Sequence, residues 1–416
     1  MSILTLDVSA VLIALLVAAM AGFFVSRLWT KKKSIGGSVG LGASCFGLLV
    51  GLFLLFGAVT YQIRSAQERA AFPRQGQLVD VGGYDINVWC EGEAYGDQPT
   101  IVFVPGGYAP GLAAYPMHKA WRETGRSCLI DRAGTGWSDS ASTPRTIKNI
   151  AAEFERALAG SGERGPFVLV GHSLGGLVSA NWAARSELGI VGLVVLDPTP
   201  LEMISTGGIR QPGGWCYVPE SGAAIQAALS AFGFGHVFPS LHPLNSPAYL
   251  EQNASISEAL PTLKAMLSSP REIKTVREHF AQMCFGGFEV IRAPGALGDL
   301  PILSIVQSLQ IDDSERAQVS PWNGITDDLE WRNYKRSMEI ALQEYPAFSS
   351  RSRLIGLPDP SWGHNFPVSH PGYVAEQLRG FIAGIDTWPG QTQPMIDDTA
   401  AGPGDLMEGP GDLERE

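Results

Sequence analysis

Strand-like and helix-like segments alternate along the middle of this chain, and this alternation constrains its fold more than any other feature. Five runs are short and apolar, several of them at consecutive positions: 85–90, 100–105, 127–131, 167–171 and 192–197. Consecutive apolar residues are typical of parallel strands that are covered on both faces. Between strands, the segments 149–162 and 175–187 have helical spacing. The pattern therefore predicts an α/β fold with a mostly parallel sheet.

The alternation stops after residue 200 and resumes about 100 residues later. The intervening stretch, 201–299, is rich in Gly, Pro and aromatic residues, and helical pieces are predicted at 221–231, 257–267 and 271–284. Two strands and a closing helix then follow at 301–306, 352–357 and 370–385. We predict that 201–299 is an insertion between two strands of one sheet. Its aromatic side chains either line an apolar substrate pocket or form the insertion's own core.

The first 61 residues contain two long apolar segments, 8–28 and 36–61. Each supplies the ~20 apolar residues that are needed to cross a bilayer. Arg27 lies near the end of the first segment and the lysines at 31–33 lie between the two. Basic loops stay on the cytoplasmic side. We therefore predict an integral membrane hairpin of two spans, with the rest of the chain on the non-cytoplasmic side. A signal peptide is the alternative for the first segment, and the arginines that follow the second segment weaken the orientation.

Composition divides the rest of the chain. The predicted segments are the hairpin 1–61, a polar linker 62–76, the first part of the sheet domain 77–200, the insertion 201–299, the second part of the sheet domain 300–385 and a tail 386–416. The tail is acidic and rich in Pro and Gly, which favours disorder. The formal net charge is −11. Because no long basic tract lies outside the hairpin, nucleic acid is not an expected partner.

The sequence Gly171-His172-Ser173-Leu174-Gly175 follows an apolar strand and opens a helical segment. This is the context of a G-x-S-x-G nucleophile elbow. A sharp strand-to-helix turn holds the serine in a strained backbone conformation, and the flanking glycines prevent clashes. The hydroxyl then lies at a helix N-terminus, whose dipole stabilises a developing oxyanion. We predict Ser173 as a nucleophile. The alternative is a structural turn with an idle serine, and His172 is expected to be structural.

Three motifs resemble the α/β-hydrolase fold superfamily, and within it a branch of hydrolases and lipases with a DRAG-type loop. They are DRAGTGWSD at 131–139, GHSLGG at 171–176 and SWGHNF at 361–366. The resemblance covers about residues 80–385. It implies an eight-stranded, mostly parallel sheet with a cap inserted after the sixth strand, where 201–299 lies. In this chain the two predicted transmembrane helices precede that fold.

In that family the catalytic base follows the last strand, and only two of the seven histidines lie there. His364 matches the family's Gly-His position, whereas His370 is expected to be a surface or capping residue. An acid must orient the imidazole and stabilise the imidazolium. We predict Asp197, at the end of the sixth strand, where some members carry their acid; its alternative role is to bind local backbone N–H groups. The commoner place is the loop after the seventh strand, where Gln310 holds the usual position and Asp312 is the alternative acid.

The resemblance also implies an oxyanion hole built from backbone amides. The VPGGY sequence at 104–108 follows the third strand, and we predict the amides of Gly107 and Leu174 as donors. Family members often have His-Gly where this chain has Pro105-Gly106, which leaves the donor on this loop open. Three residues of the DRAG-type loop are expected to brace that loop rather than to do chemistry: Asp131, Gly134 and Gly136.

The cysteines do not indicate a metal site, because the chain has no CxxC motif or His/Cys cluster, and no cofactor is expected. Cys45 lies in the second predicted span. If the domain is outside the cytoplasm, Cys90 with Cys128 and Cys216 with Cys284 could form two disulfides. Buried free thiols are the alternative.

These features predict a serine hydrolase that cleaves a carboxylic ester or lipid-like small molecule through an acyl-enzyme. An aspartate at position 173 would instead have indicated epoxide or haloalkane chemistry. One alternative is an acyltransferase on the same fold, in which an alcohol replaces water. Another is a catalytically silent membrane receptor or scaffold, against which the presence of both Ser173 and His364 weighs.

Overall fold

The structure of this chain is a computed structural model. It describes residues 6–30, 35–107, 109–201, 220–241, 243–285, 291, 293–309, 313, 316 and 327–390. All statements below concern these residues.

The core of the fold is one eight-stranded sheet in the order β1-β2-β4-β3-β5-β6-β7-β8. The strands are β1 Gln77–Asp80, β2 Asp85–Glu91, β3 Thr100–Val104, β4 Ser127–Ile130, β5 Phe167–His172, β6 Ile190–Leu196, β7 Ile302–Val306 and β8 Ser352–Gly356. The pairs β1–β2 and β2–β4 are antiparallel, and all other pairs are parallel. The predicted mostly parallel α/β sheet is therefore confirmed. Only β1 was not among the strand-like runs.

Helices cover both faces of this sheet or lie outside it. They are α1 Leu6–Trp29, α2 Ile35–Ala71, α3 Tyr115–Trp121, α4 Ile147–Gly160, α5 Leu174–Ala183, α6 Glu220–Ala231, α7 Phe234–Val237, α8 Pro247–Gln252, α9 Leu260–Leu267, α10 Pro270–Phe285, α11 Asp328–Ala347, α12 Phe366–Ser369 and α13 Pro371–Ala383. Helices α6 to α10 lie between β6 and β7, in the predicted insertion. Helix α11 was not predicted from the sequence.

Strand β3 shows why the central strands read as continuous apolar runs. All five of its residues are buried. Val102 and Val104 pack into a core with α4 and α5 on one face, whereas Ile101 and Phe103 pack into a core with α3 and α13 on the other. Because side chains alternate across a strand, both faces need apolar residues when both are covered.

The parallel register brings the ends of three central strands to the same edge of the sheet. His172 pairs with Leu196, and Leu196 pairs with Ile305. The residues that follow β5 and β6 remain tied to their neighbours, since the N–H of Ser173 donates to the Leu196 carbonyl at 3.0 Å and the N–H of Asp197 donates to the Ile305 carbonyl at 2.7 Å. Side chains that follow these strands therefore converge, as expected at the carboxyl edge of an open α/β sheet.

Helices α1 and α2 pack against each other, and each is long and apolar enough to cross a membrane. Helix α2 runs on to Ala71, so most of the predicted polar linker, 62–76, is helical. Its last turns pack on α9: the Thr262 hydroxyl donates to the Glu68 carbonyl at 2.6 Å and accepts from the N–H of Phe72 at 3.0 Å. These bonds attach the end of α2 to the insertion.

Candidate active site

Ser173 lies at a tight bend between β5 and α5. Its backbone has φ 54° and ψ −123°, a conformation that L-residues rarely adopt and that costs on the order of 1–3 kcal/mol. Glycines make the bend possible. A Cβ on Gly171 would overlap the carbonyl of Gly175, and a Cβ on Gly175 would overlap the carbonyl of Val104. The local sequence thus specifies the strained turn that a nucleophile elbow requires.

Asp197 and His364 are joined side chain to side chain across 167 positions of sequence. The Nδ1 atom of His364 lies 2.6 Å from Oδ2 of Asp197, and the N–H of Gln307 donates to Oδ1 at 3.1 Å. Asp197 itself has φ 42°, another strained backbone position. Burial alone would raise the pKa of the Asp197 carboxyl, but the hydrogen bond and charge of His364 and the amide of Gln307 outweigh it and lower that pKa. The carboxyl is therefore ionised and holds the imidazole with Nδ1 protonated.

His172 connects the bend to the His364 loop. Its Nε2 lies 2.9 Å from the His364 carbonyl, and the two rings are 4.7 Å apart. Burial and the neighbouring His364 lower the pKa of His172 to about 3, so its ring is neutral. Because a carbonyl only accepts, Nε2 of His172 carries the proton. This contact fixes the backbone of the loop beside Ser173, in keeping with the structural role predicted for His172.

Among the described residues, no hydrogen bond joins the Ser173 hydroxyl to His364. The two groups are linked indirectly, through His172. Hydrogen bonds between a nucleophile and its base are often long in unliganded sites and shorten when substrate binds. The arrangement therefore requires an adjustment of the Ser173 hydroxyl or of the His364 ring before a proton can pass between them.

The loop after β3 lies against the start of α5. An ideal Cβ on Gly107 would lie 3.3 Å from Cδ2 of Leu174, so the two predicted amide donors belong to adjoining segments. Leu174 begins α5, and the N–H groups of a first helical turn have no acceptor within the helix. The N–H of Leu174 therefore belongs to backbone that is suited to binding an anionic oxygen.

Arg132 binds the backbone of this loop. This role was not predicted from the sequence. The side chain is fully buried, and its guanidinium donates to the carbonyls of Pro105, Gly106, Gly107 and Ala109 at 2.7, 2.6, 3.1 and 2.9 Å. Four charge-assisted bonds to one short segment fix the course of its backbone. A sequence signal was available, because Arg132 directly follows an apolar strand in the DRAG-type loop. A buried arginine needs partners, so this position could have been predicted to bind nearby backbone.

Asp131 braces the turn around Arg132, as predicted. Its carboxylate accepts from the N–H groups of Gly111 and Trp137 at 2.6 and 3.1 Å. Burial raises the pKa of Asp131 to about 6, although these bonds oppose the rise. A Cβ on Gly136 would overlap the Asp131 carboxylate, which explains the glycine at that position.

Helix α10 of the insertion covers the same loop. An ideal Cβ on Gly107 would lie 2.9 Å from Cζ of Phe280, so no larger residue fits there without movement of that ring. Phe280 is buried in one core with Leu174. One aromatic residue of the insertion therefore lies directly against the segments that carry the predicted amide donors.

The alternative acid, Asp312, lies outside the described residues, as does Gln310. The neighbouring Asp313 is described: its carboxylate is exposed and accepts from Lys335 at 2.6 Å and from the indole N–H of Trp331 at 2.7 Å. Asp313 thus points to α11 and not to His364. Of the two predicted disulfides, Cys90–Cys128 is present. Cys216 and the side chain of Cys284 lie outside the described part of the chain.

Comparison with known proteins agrees with this fold. Residues 101–377 match the Alpha/beta hydrolase family. The chain therefore belongs to the α/β-hydrolase family.

Particular relatives are more distant. The uncharacterized protein YbdG of Bacillus subtilis is 27% identical over 42% of this chain and 51% of its own length. An uncharacterized vacuolar membrane protein of Saccharomyces cerevisiae is 32% identical over 25% of this chain and 18% of its own length. This chain thus spans about half or less of the curated relatives that it matches. Among solved structures, the Cif epoxide hydrolase from Acinetobacter nosocomialis aligns over 78% of this chain and 96% of its own, with 15% identity and a TM-score of 0.52. That likeness concerns the fold alone.

Proposed function

We propose that this protein is a serine hydrolase that cleaves a carboxylic ester or lipid-like substrate through an acyl-enzyme. Ser173 is the nucleophile, His364 the base and Asp197 the acid. The amides of Gly107 and Leu174 form the oxyanion hole. The observation that carries the proposal is the 2.6 Å bond between His364 Nδ1 and Asp197 Oδ2 beside a serine held in a strained elbow.

The chemistry follows from these positions. With Nδ1 bound to Asp197, Nε2 of His364 is free to take the proton of the Ser173 hydroxyl as Oγ attacks the ester carbonyl. The amides of Gly107 and Leu174 stabilise the resulting oxyanion. His364 then protonates the leaving alcohol, and the acyl group stays on Ser173. In the second half, His364 takes a proton from water, the hydroxide releases the acid, and the proton returns to Ser173.

Labelling with a fluorophosphonate, which reacts with activated serines, tests this proposal. We expect the wild type to be labelled and the Ser173→Ala and His364→Ala variants to remain unlabelled. Matched controls are Ser179→Ala, a second buried serine on α5, and His370→Ala, whose ring stacks on Trp362. Both should be labelled like the wild type. A folded wild type that does not react would instead support a catalytically silent receptor or scaffold.

We also propose that α1 and α2 form a membrane hairpin and that the catalytic domain lies on the non-cytoplasmic side. The Cys90–Cys128 disulfide supports this side, because disulfides persist in oxidising compartments. An impermeant maleimide applied to sealed vesicles of known orientation tests it. Tyr95→Cys, on an exposed loop of the domain, and Lys32→Cys, between the spans, should react from opposite sides. Reaction of Tyr95→Cys from the cytoplasmic side would reverse the assignment.

A further inference from the structure

The first helix of the insertion carries apolar side chains on its outer surface. Helix α6 and the turn after it contain no charged residue from 221 to 235. Ile225, Leu229 and Phe232 follow the i, i+4, i+7 spacing of one helical stripe. Ile225 is 59% exposed and Leu229 46% exposed. Adjoining apolar residues that are this exposed mark a surface that contacts something other than water.

This stripe continues the surface of α2. Ile225, Leu229 and Phe232 form a groove of about 280 Å³ together with Phe53 and Leu54 of α2. The cavity wall is almost wholly apolar. Phe53 is itself half exposed, so the groove opens outward between the two helices. One apolar surface therefore spans the predicted transmembrane helix and the insertion.

Glycines allow the two parts to meet at their backbones. A Cβ on Gly57 of α2 would overlap the carbonyl of Phe232, and a Cβ on Gly233 would overlap the carbonyl of Gly57. Small residues continue the contact, since Ala10, Ala58 and Ala231 are buried together. Close contact through small residues is how helices associate inside membranes. The insertion is thus packed on the side of the hairpin and not merely on its end.

The depth of this contact follows from helix geometry. Arg64 is the first charged residue after the second apolar segment, and its side chain is exposed. At ~1.5 Å per residue, Gly57 lies about 10 Å and Phe53 about 16 Å from Arg64 along the helix axis, toward the middle of the predicted span. The charge-free segment 221–235 of the insertion is too short to span a bilayer, but it is long enough to dip into one.

We propose that α6 after Glu220 and the turn to α7 lie within the hydrocarbon layer beside α2, with lipid acyl chains in the groove between them. The inference rests on the proposed membrane hairpin. Helix α6 also contacts α10, which carries Phe280 to the Gly107 loop. One helix therefore separates the lipid-facing surface from the candidate active site.

Spin labels measure this placement directly. The full chain, with Cys45, Cys216 and Cys284 replaced by alanine, is reconstituted into phosphatidylcholine vesicles. Single nitroxides are attached at Ile225→Cys and Leu229→Cys. Phe56→Cys on the outer surface of α2 serves as the membrane reference, and Tyr95→Cys as the water reference. Collision rates with oxygen, which is concentrated in lipid, and with a polar nickel chelate, which is excluded from it, are then compared.

We expect the labels on α6 to resemble the Phe56 label, with an oxygen-to-nickel collision ratio several-fold above that at Tyr95. If Phe56 is in lipid but both α6 labels collide freely with nickel, α6 is in water and the inference is wrong. If both reagents are excluded from α6, another protein surface, such as a second copy, covers it, and the inference is again wrong. A Phe56 label in water would refute the hairpin itself, which separates that failure from the others.

Discussion

Two histidines of this protein, His364 and His279, lie in polar clusters with opposite chemistry. The side chain of His364 is 42% exposed and faces the carboxylate of Asp197. His279, on α10, is buried and accepts from Nε of Arg145 at 3.2 Å. Burial and the charges of Arg132 and Arg145 lower the pKa of His279 well below its usual value. Cationic neighbours oppose protonation of His279, whereas His364 has a carboxylate partner that orients its ring.

The buried cluster is a structural joint between the sheet domain and the insertion. The Arg145 guanidinium binds both carboxylate oxygens of Glu153, at 2.5 and 2.8 Å, and its Nε binds His279. A paired, buried network of this kind ties α4 to α10 but leaves no exposed group for chemistry. The comparison teaches that the surroundings of a histidine, and not its presence, decide whether it can act as a base.

The largest expected effect is the loss of activity on replacing His364, which replacement of His279 should not cause. We expect His364→Ala to lower kcat/KM for a model ester roughly 10⁴-fold or more, because removal of the base disables the nucleophile. His279→Gln should leave kcat within a few-fold and lower the melting temperature instead. Ester hydrolysis and thermal unfolding in detergent measure both. A loss of kcat at His279 equal to that at His364 would contradict the distinction.

The acid comes next. We expect Asp197→Asn to lower kcat by about 10⁴-fold, because the asparagine no longer favours the tautomer with Nδ1 protonated. Asp312→Asn, the alternative, should change kcat little, and Asp313→Asn serves as a matched exposed aspartate. Steady-state kinetics of the three variants decide between them. A greater loss at Asp312 would transfer the role to that residue.

Arg132 is fully buried, like His279, but its guanidinium binds the loop that carries the predicted donor Gly107. We expect Arg132→Met to lower kcat roughly 100-fold with a smaller change in KM, because four carbonyls lose their donor and the Gly107 loop shifts. The pH dependence of kcat should keep its shape, since the His364–Asp197 pair is untouched. If only the melting temperature falls while kcat is unchanged, Arg132 does not position the loop.

The smallest effect concerns Glu272 on α10. Burial raises its pKa to about 7 from an ordinary value of 4.5, and one carboxylate oxygen finds no partner among the described residues. The unfolded chain therefore releases this proton at lower pH than the folded chain does. Glu272 is least destabilising below pH 4.5, and stability falls as the pH rises toward about 7.

Glu272→Gln removes this titration. At pH 8 we expect the variant to be more stable than the wild type, on the order of 2 kcal/mol once relaxation of the site is allowed for. The difference should shrink as the pH falls toward 5. Melting temperatures at several pH values provide the measurement, with Glu278→Gln as a control, an exposed glutamate on the same helix. A constant difference at every pH would contradict the assignment.

Local sequence was sufficient for much of the fold. The strands β2 to β8 and the elbow at Ser173 depend on short-range properties: continuous apolar runs, helical spacing and glycines where the backbone needs them. Strand β1 and helix α11 were missed for a related reason. Of the four residues of β1, only Val79 is buried, so its pattern is weak, and α11 has mostly polar positions with a narrow buried stripe.

Long-range pairing decided the rest. The family resemblance favoured Asp197 as the partner of His364, but local sequence left Asp312 open. The contact itself depends on the register of β5, β6 and β7 and on the course of the loop after β8. The same holds for Arg132, whose partners lie about 25 positions earlier, and for Gly57 and Gly233, which belong to different parts of the chain. Sequence patterns report what a residue prefers next to its neighbours, whereas partners across the fold are selected only when the sheet and helices pack.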